Sequence, residues 1–361
     1  MDRGARLGRR HQAGSAPCLP VLFVVLAVGG ATQGPPLPAT LAGTGLYSDA
    51  ATRTVAPGNL AFAPQYPLWS DGAVKHRWIA LPPGTAIDAS DPDAWVFPVG
   101  TRFWKEFAFG GRPIETRFLE RVADGSWVYA AYEWSADGRT ATMAPVQGRR
   151  GTFDLGGGRS HTIPGVSDCK VCHEASPTPV LGFGLLQLSP DRDPGAPHAE
   201  PEPVPPLDLA TLVQAGLLAG LPPALLAAPP RIKAATAEER AALGYLHGNC
   251  GHCHSADGKL QNVGLVLRHV EGAPVEPGIA TTVDQPIRDP APGQTSDAVL
   301  RIDPGHPELS GLAQRMASRW AALQMPPLGT ELVDTEALTL VRQWIADLPP
   351  LPAEEEREGR P

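Results

Sequence analysis

The sequence predicts an α+β chain of several domains, with an antiparallel β-rich N-terminal part and a mainly helical C-terminal part. Three observations carry this expectation. Residues 66–144 fall into short strand-like stretches separated by glycine turns. Two later stretches, "TAEERAALGYLHG" and "DTEALTLVRQWIADL", carry helix caps and helical periodicity. The 39 glycines and 41 prolines in 361 residues demand many loops, while a hydrophobic fraction of 42% suffices for buried cores.

The chain opens on "MDRGARLGRRHQAGSAP", followed by the apolar run "CLPVLFVVLAVGG" and the small residues of "GGATQG". This order predicts a secretory signal peptide over residues 1–31, cleaved after Ala31. The apolar run is shorter than the about 20 residues that cross a bilayer. The expected product is therefore periplasmic or otherwise exported, with no stable membrane span after cleavage. Losing four Arg and one Asp with that segment moves the net charge from −8 to −11. Such an acidic chain is a poor nucleic-acid binder, because phosphates are neutralised by Lys and Arg. A basic redox partner would be steered towards it.

The β-rich domain is expected over 40–160. Within it "TRFWKEFAF" alternates large apolar with polar residues through Phe103, Lys105, Phe107 and Phe109. Gly110-Gly111 supplies a two-residue hairpin turn, and "PIETRFLER", "WVYAAYEW" and "TATMA" continue an antiparallel meander. Six of the eight tryptophans (Trp69, Trp78, Trp95, Trp104, Trp127 and Trp134) lie in this half and read mainly as core. Residues 161–235 hold the first cysteine pair, the Pro-rich connector "LSPDRDPGAPHAEPEPVPP" and a short helix in "LDLATLVQAGLLAGL". Residues 236–350 form the helical part. Thr236 and Glu239 make a capping box there, and Gly248 ends the first helix. In the last helix, Asp334 is the N-cap and Ala337, Leu338, Val341, Trp344, Ile345 and Leu348 share one face. Residues 351–361 read as a charged, disordered tail.

Export would remove Cys18 and leave Cys169, Cys172, Cys250 and Cys253, in "DCKVCHE" and "GNCGHCHSADG". A zinc ribbon separates its cysteine pairs by about 15–20 residues, whereas 77 lie between Cys172 and Cys250. A thioredoxin-like motif needs a βαβ context, and Cys250 follows a helix. Covalent attachment of c-type haem does require this pattern. Two thiols about one helical turn apart meet the two vinyl groups on one edge of the porphyrin. The histidine four residues past the first cysteine lies on the same face and reaches the iron. The expected cofactors are two c-type haems, with His173 and His254 as proximal iron ligands.

The second site has a distal candidate. Met325 in "QMPPLGT" lies 71 residues after His254, and its thioether would complete His/Met ligation, which raises the reduction potential. At the first site no such loop follows, and His161 in "RSHTIPG" or His198 in "APHAEP" is the candidate distal ligand. An open sixth position is the remaining alternative. Met316 reads as packing and Met143 as a weak ligand, while His252 and Glu174 read as exposed.

The segments "YLHGNCGHCH" and "QMPPLGT" with the closing helix resemble a mono-haem cytochrome c domain, in which first and last helices cross and a Met loop closes the pocket. The wider chain resembles an uncharacterised family of exported proteins with two c-type haem motifs behind a β-rich region. Matching segments are "YPLWSDGAVKHRWIALPPG", "WVFPVGTRFWKEFAFGG", "IETRFLER", "DCKVCHE" and "LGFGLLQLSPDRDP". The resemblance implies architecture and haem content but no reaction.

The leading expectation is single-electron transfer between redox partner proteins. A second is a dihaem peroxidase-like enzyme with an open first haem and Glu174, His161 or Glu115 as distal acid or base. A third is a polymer-binding protein with accessory haems, which a row of exposed Trp would favour.

Overall fold

In a computed structural model that describes residues 37–156, 159–288 and 299–350, the alternating stretches of the N-terminal half pair into a six-stranded antiparallel sheet. The expected signal peptide, Cys18 and the C-terminal tail lie outside the described residues. After a hairpin of β1 (Tyr47–Asp49) and β2 (Thr54–Val55), the chain lays down β3 (Leu60–Ala61) and β4 (Val74–Ala80). It leaves the sheet for β5 (Ile87–Asp88), then returns through β6 (Arg102–Phe109), β7 (Arg112–Arg121), β8 (Trp127–Trp134) and β9 (Ala141–Met143). The spatial order is β3-β4-β6-β7-β8-β9. Gly110 and Gly111 turn β6 into β7 with φ of +56° and +77°, values that glycine adopts without a Cβ clash. A separate hairpin of β10 (Arg149–Gly156) and β11 (Arg159–Ile163) follows.

The register gives the sheet two unlike faces. On one, Trp104, Phe118, Tyr132 and Trp134 pack against Leu41, Leu46 and Tyr47. On the other, Ile79, Phe103, Leu119 and Tyr129 form an apolar row across β4, β6, β7 and β8. This row packs on Phe183, Leu188 and Leu209 from later in the chain. Each such buried side chain contributes about 1.5–3 kcal/mol of apolar transfer. The next row on this face is not apolar: Arg77, Lys105 and Arg117 stand opposite one another. Of the six tryptophans, Trp95, Trp104 and Trp134 are buried and the other three are partly buried, so none stands exposed on the sheet.

Seven helices follow among the described residues. They are α1 (Val166–His173), α2 (Leu209–Gln214), α3 (Ala224–Ala227), α4 (Ala237–Asn249), α5 (Pro277–Ala280), α6 (Gly311–Ala317) and α7 (Thr335–Asp347). Between α2 and α3, β12 (Leu218–Ala219) pairs parallel with β5. The whole is α+β.

α4 begins as its caps predict. Thr236 Oγ1 accepts from Glu239 N at 3.0 Å, while Glu239 Oε1 accepts from Ala235 N at 2.9 Å, one residue before the N-cap. The helix runs one residue past Gly248, and Tyr66 approaches so closely there that a Cβ on Gly248 would lie 2.4 Å from its carbonyl oxygen. Asp334 caps α7, and the predicted face of Ala337, Leu338, Val341, Trp344 and Ile345 is buried. It packs on Ala242, Leu243 and Leu246 of α4, and Trp344 Nε1 donates to Glu239 Oε2 at 3.2 Å.

The Pro-rich connector carries no helix or strand over 190–208, as expected, but it is not slack. Glu200 accepts from Arg77 of the sheet, and Asp193 Oδ2 accepts from the Tyr66 hydroxyl at 2.9 Å. The described residues form one compact unit, in which packing crosses the boundary expected near residue 160.

Candidate functional site

α1 carries the first motif whole. Asp168 in its first turn accepts from Gly165 N at 3.0 Å, and Cys169 and His173 lie four residues apart on one face. The second motif begins where its helix ends, with Cys250 as the C-cap of α4. A single helical turn persists: His254 N donates to Cys250 O at 2.9 Å and Cys253 N to the same oxygen at 3.1 Å. Gly251 makes that turn possible. A Cβ there would lie 2.7 Å from His247 O and 2.9 Å from Arg268 Cα.

Both motifs open onto one cavity of about 680 Å³, lined by Cys169, Cys172 and His173 on one side and Cys250, Cys253 and His254 on the other. That volume is within the range of about 300–1,000 Å³ typical of ligand sites. The motifs also touch. Cys253 and His252 are electrostatic neighbours of Cys172 and hold its thiol well below its usual pKa. Lys259 N donates to Ala175 O at 2.7 Å, tying the loop after the second motif to the turn after the first. His252 is therefore not the exposed side chain that the sequence suggested; it is partly buried on the cavity wall. Glu174 is half-buried and pairs with Lys170 at 3.6 Å and Lys259 at 3.9 Å.

The histidines that follow the cysteine pairs are in the state a metal ligand needs. Burial lowers the pKa of His173 and of His254 to about 4, so both are neutral near pH 7. His173 Nδ1 lies 2.6 Å from Pro179 O. That contact fixes the proton on Nδ1 and leaves the Nε2 lone pair available, as is usual for a metal-bound imidazole. His254 Nδ1 is buried without a partner, so the second ring is less firmly oriented. Among the described residues no group of three or more His, Cys, Asp or Glu is arranged to hold a bare metal ion, which argues against a four-cysteine zinc site. Two thiols and one neutral imidazole on each side of a shared cavity fit a covalently held porphyrin better.

Met325 lines the same cavity with Pro326 and Pro327. Its loop is tied down at several points. Met325 N donates to Arg315 O at 3.2 Å and Gln324 Nε2 to Thr330 O at 3.1 Å. The buried Asp71 carboxylate accepts from Glu331 N at 3.0 Å and Leu332 N at 2.9 Å, and Glu331 in turn accepts from Thr162 Oγ1 at 2.6 Å. The β-rich half thus helps hold the methionine loop. Met316 is buried on α6 and also reaches the wall, while Met143 is exposed on β9 and is absent from it.

The two candidate distal histidines separate. His161 lines the cavity, buried among Phe107, Phe109 and Phe153, but its Nε2 is 2.9 Å from Glu115 Oε2, leaving only Nδ1 for a metal. His198 is ruled out as placed. Its Nε2 sits 2.9 Å from both Asp334 oxygens, its Nδ1 is 3.5 Å from Glu336, and its ring lies on Trp69 with centroids 4.7 Å apart. Glu115 is fully buried. Burial pushes its pKa up, but Arg117, at 2.8 and 3.1 Å, and His161 outweigh that and leave it lowered.

The sequence reading missed the polar wall of Arg77, Lys105 and Arg117. Its signal was the two-residue spacing of "VKHRWIA", "FWKEF" and "IETRF", which puts a cation on the inward face of each strand once the register is known. Comparison with known proteins returns no match for this chain among family models, curated proteins or solved structures.

Proposed function

We propose that the protein is an exported dihaem c-type cytochrome that carries single electrons between redox partner proteins, with residues 236–350 as a cytochrome c-like module. The observation that carries this reading is the convergence of both Cys-x-x-Cys-His motifs on one cavity, where the loop after the second motif is tied to the turn after the first. Bound haem would supply a one-electron iron couple at each motif. The chain supplies the rest. Cys169, Cys172, Cys250 and Cys253 anchor, His173 and His254 offer neutral imidazoles, and Met325 offers a thioether on the wall that the second motif shares. Contact between the motifs favours a relay, because electrons need not cross a stretch of intervening protein. The acidic surface left after signal cleavage suits a basic partner.

The peroxidase-like alternative draws on one feature, the Glu115–His161–Arg117 cluster beside the first motif. It is the weaker reading, because Arg117 keeps the Glu115 carboxyl below its usual pKa and so unsuited to donating a proton near neutral pH. The polymer-binding alternative loses its discriminating feature, since no tryptophan of the sheet is exposed.

The test is the intact mass of the protein secreted by a host that attaches c-type haem. Two added haems are expected, with one lost in the double variant Cys169→Ala/Cys172→Ala and the other in Cys250→Ala/Cys253→Ala. A wild-type mass without added haem rejects the reading.

A further inference from the structure

On the cavity face of the sheet, Arg77, Lys105 and Arg117 are directly opposite one another across β4, β6 and β7. All three line the cavity. Like charges in such positions repel, so each needs a counter-charge. Arg77 has Glu200, with Nη2 at 3.2 Å from Oε1, and Arg117 has Glu115. Lys75, one pair further along the same face, shares Glu200 at 3.5 Å. Four cations thus stand against two carboxylates. The central one is left over: among the described residues Lys105 has no ion-pair partner, and its recorded contact is the Phe107 ring, with Nζ 4.8 Å from the centroid.

The other acids around the cavity are already engaged. Asp71 holds the backbone of Glu331 and Leu332, Asp168 holds Gly165 N, and Glu331 holds Ser160 and Thr162. Burial first, and then Arg77, Lys75 and Arg117, drive the Lys105 pKa well below its usual value, against a smaller pull from Glu200, which Arg77 and Lys75 already share. A lysine so placed carries its full charge only when something in the cavity brings negative charge to it.

We infer that Lys105, flanked by Arg77 and Arg117, is a carboxylate-binding subsite on the sheet wall of the cavity. Planar guanidinium groups on either side of an ammonium suit a two-oxygen anion. The carboxylate has two possible sources, a propionate of a haem attached at the first motif or a small free carboxylate entering the cavity. Only the first source depends on the function proposed above.

The experiment compares wild type with Lys105→Met and Lys105→Arg in the secreted protein. Intact mass is read first, so that a failure of haem attachment is recognised separately. Resonance Raman of the propionate-bending band reads the first source. Thermal melting in sodium acetate or sodium succinate, against sodium chloride at equal ionic strength, reads the second. A haem propionate at Lys105 shifts the band in Lys105→Met and leaves it in place in Lys105→Arg, with no carboxylate-specific rise in Tm. A free carboxylate raises Tm in wild type and Lys105→Arg, and the rise is lost in Lys105→Met. The melting curve of Lys105→Met shows that it folds, and Lys105→Arg serves as the second folded variant. A band and a carboxylate response both unchanged in Lys105→Met overturn the inference.

Discussion

Single side chains hold the site through bonds that the sequence hides. Asn249, just before Cys250, accepts from Trp69 N at 2.7 Å and donates to Pro67 O and Tyr245 O. Asn249→Ala leaves the Trp69 amide without its acceptor, which costs about 1–3 kcal/mol. A lower midpoint in urea with an unchanged slope is the expected result. His198 supplies a pH-dependent link instead. The hydrogen bond to Asp334 raises its pKa above the ordinary value of 6.5, against an opposing effect of burial. A raised pKa means that the pair's stabilisation is complete below about pH 6.5 and is lost as pH rises through the folded-state value. Melting temperatures of wild type and His198→Gln should therefore differ most near pH 5.5 and converge towards about pH 8.5. His198 also marks the limit of reading residues alone. A loop histidine beside prolines looked available for a metal, and nothing local announced that Asp334, 136 positions away, occupies it.

Elements were more legible than their neighbours. The strands of the meander, the Gly110-Gly111 turn and the caps of α4 and α7 follow from local rules, because alternation, positive φ and orphaned N–H groups are satisfied within a few residues. The second motif shows where local rules stop. The stop expected at Gly248 falls within one residue of the end of α4 at Asn249, but the close approach of Tyr66 to Gly248 and of Arg268 to Gly251 was not legible. That approach explains Gly244, mid-helix, where propensity disfavours glycine. A Cβ on Gly244 would lie 2.0 Å from the Tyr66 ring. Gly244→Ala should destabilise by about 1–3 kcal/mol despite the better helix former, as overpacking in a closed core does. A gain in stability, read by calorimetry, would count against the packing described.

At the scale of the molecule, the pairing of motifs with cavity could not be read from spacing, because the wall combines a sheet, a one-turn loop and a methionine segment distant in sequence. The four cysteines and Met325 were each legible; their convergence required the fold. If Met325 serves the second motif, Met325→Leu lowers the midpoint potential of one centre and leaves the haem count unchanged, since thioether ligation raises potential. A spectroelectrochemical titration that superimposes on wild type would remove Met325 from that role.

Asp71 closes the cavity by gripping Glu331 and Leu332, and these partners lie 260 and 261 residues further on. At translation rates of about 5–20 residues per second, the aspartate exists for roughly 13–50 s before its partners are made. Until they are made, that bond between the β-rich half and the methionine loop cannot form. A group too bulky to pass the closed wall has to be in place before that bond forms. The order in which the chain is made thus leaves the shutting of the chamber to one of its last segments.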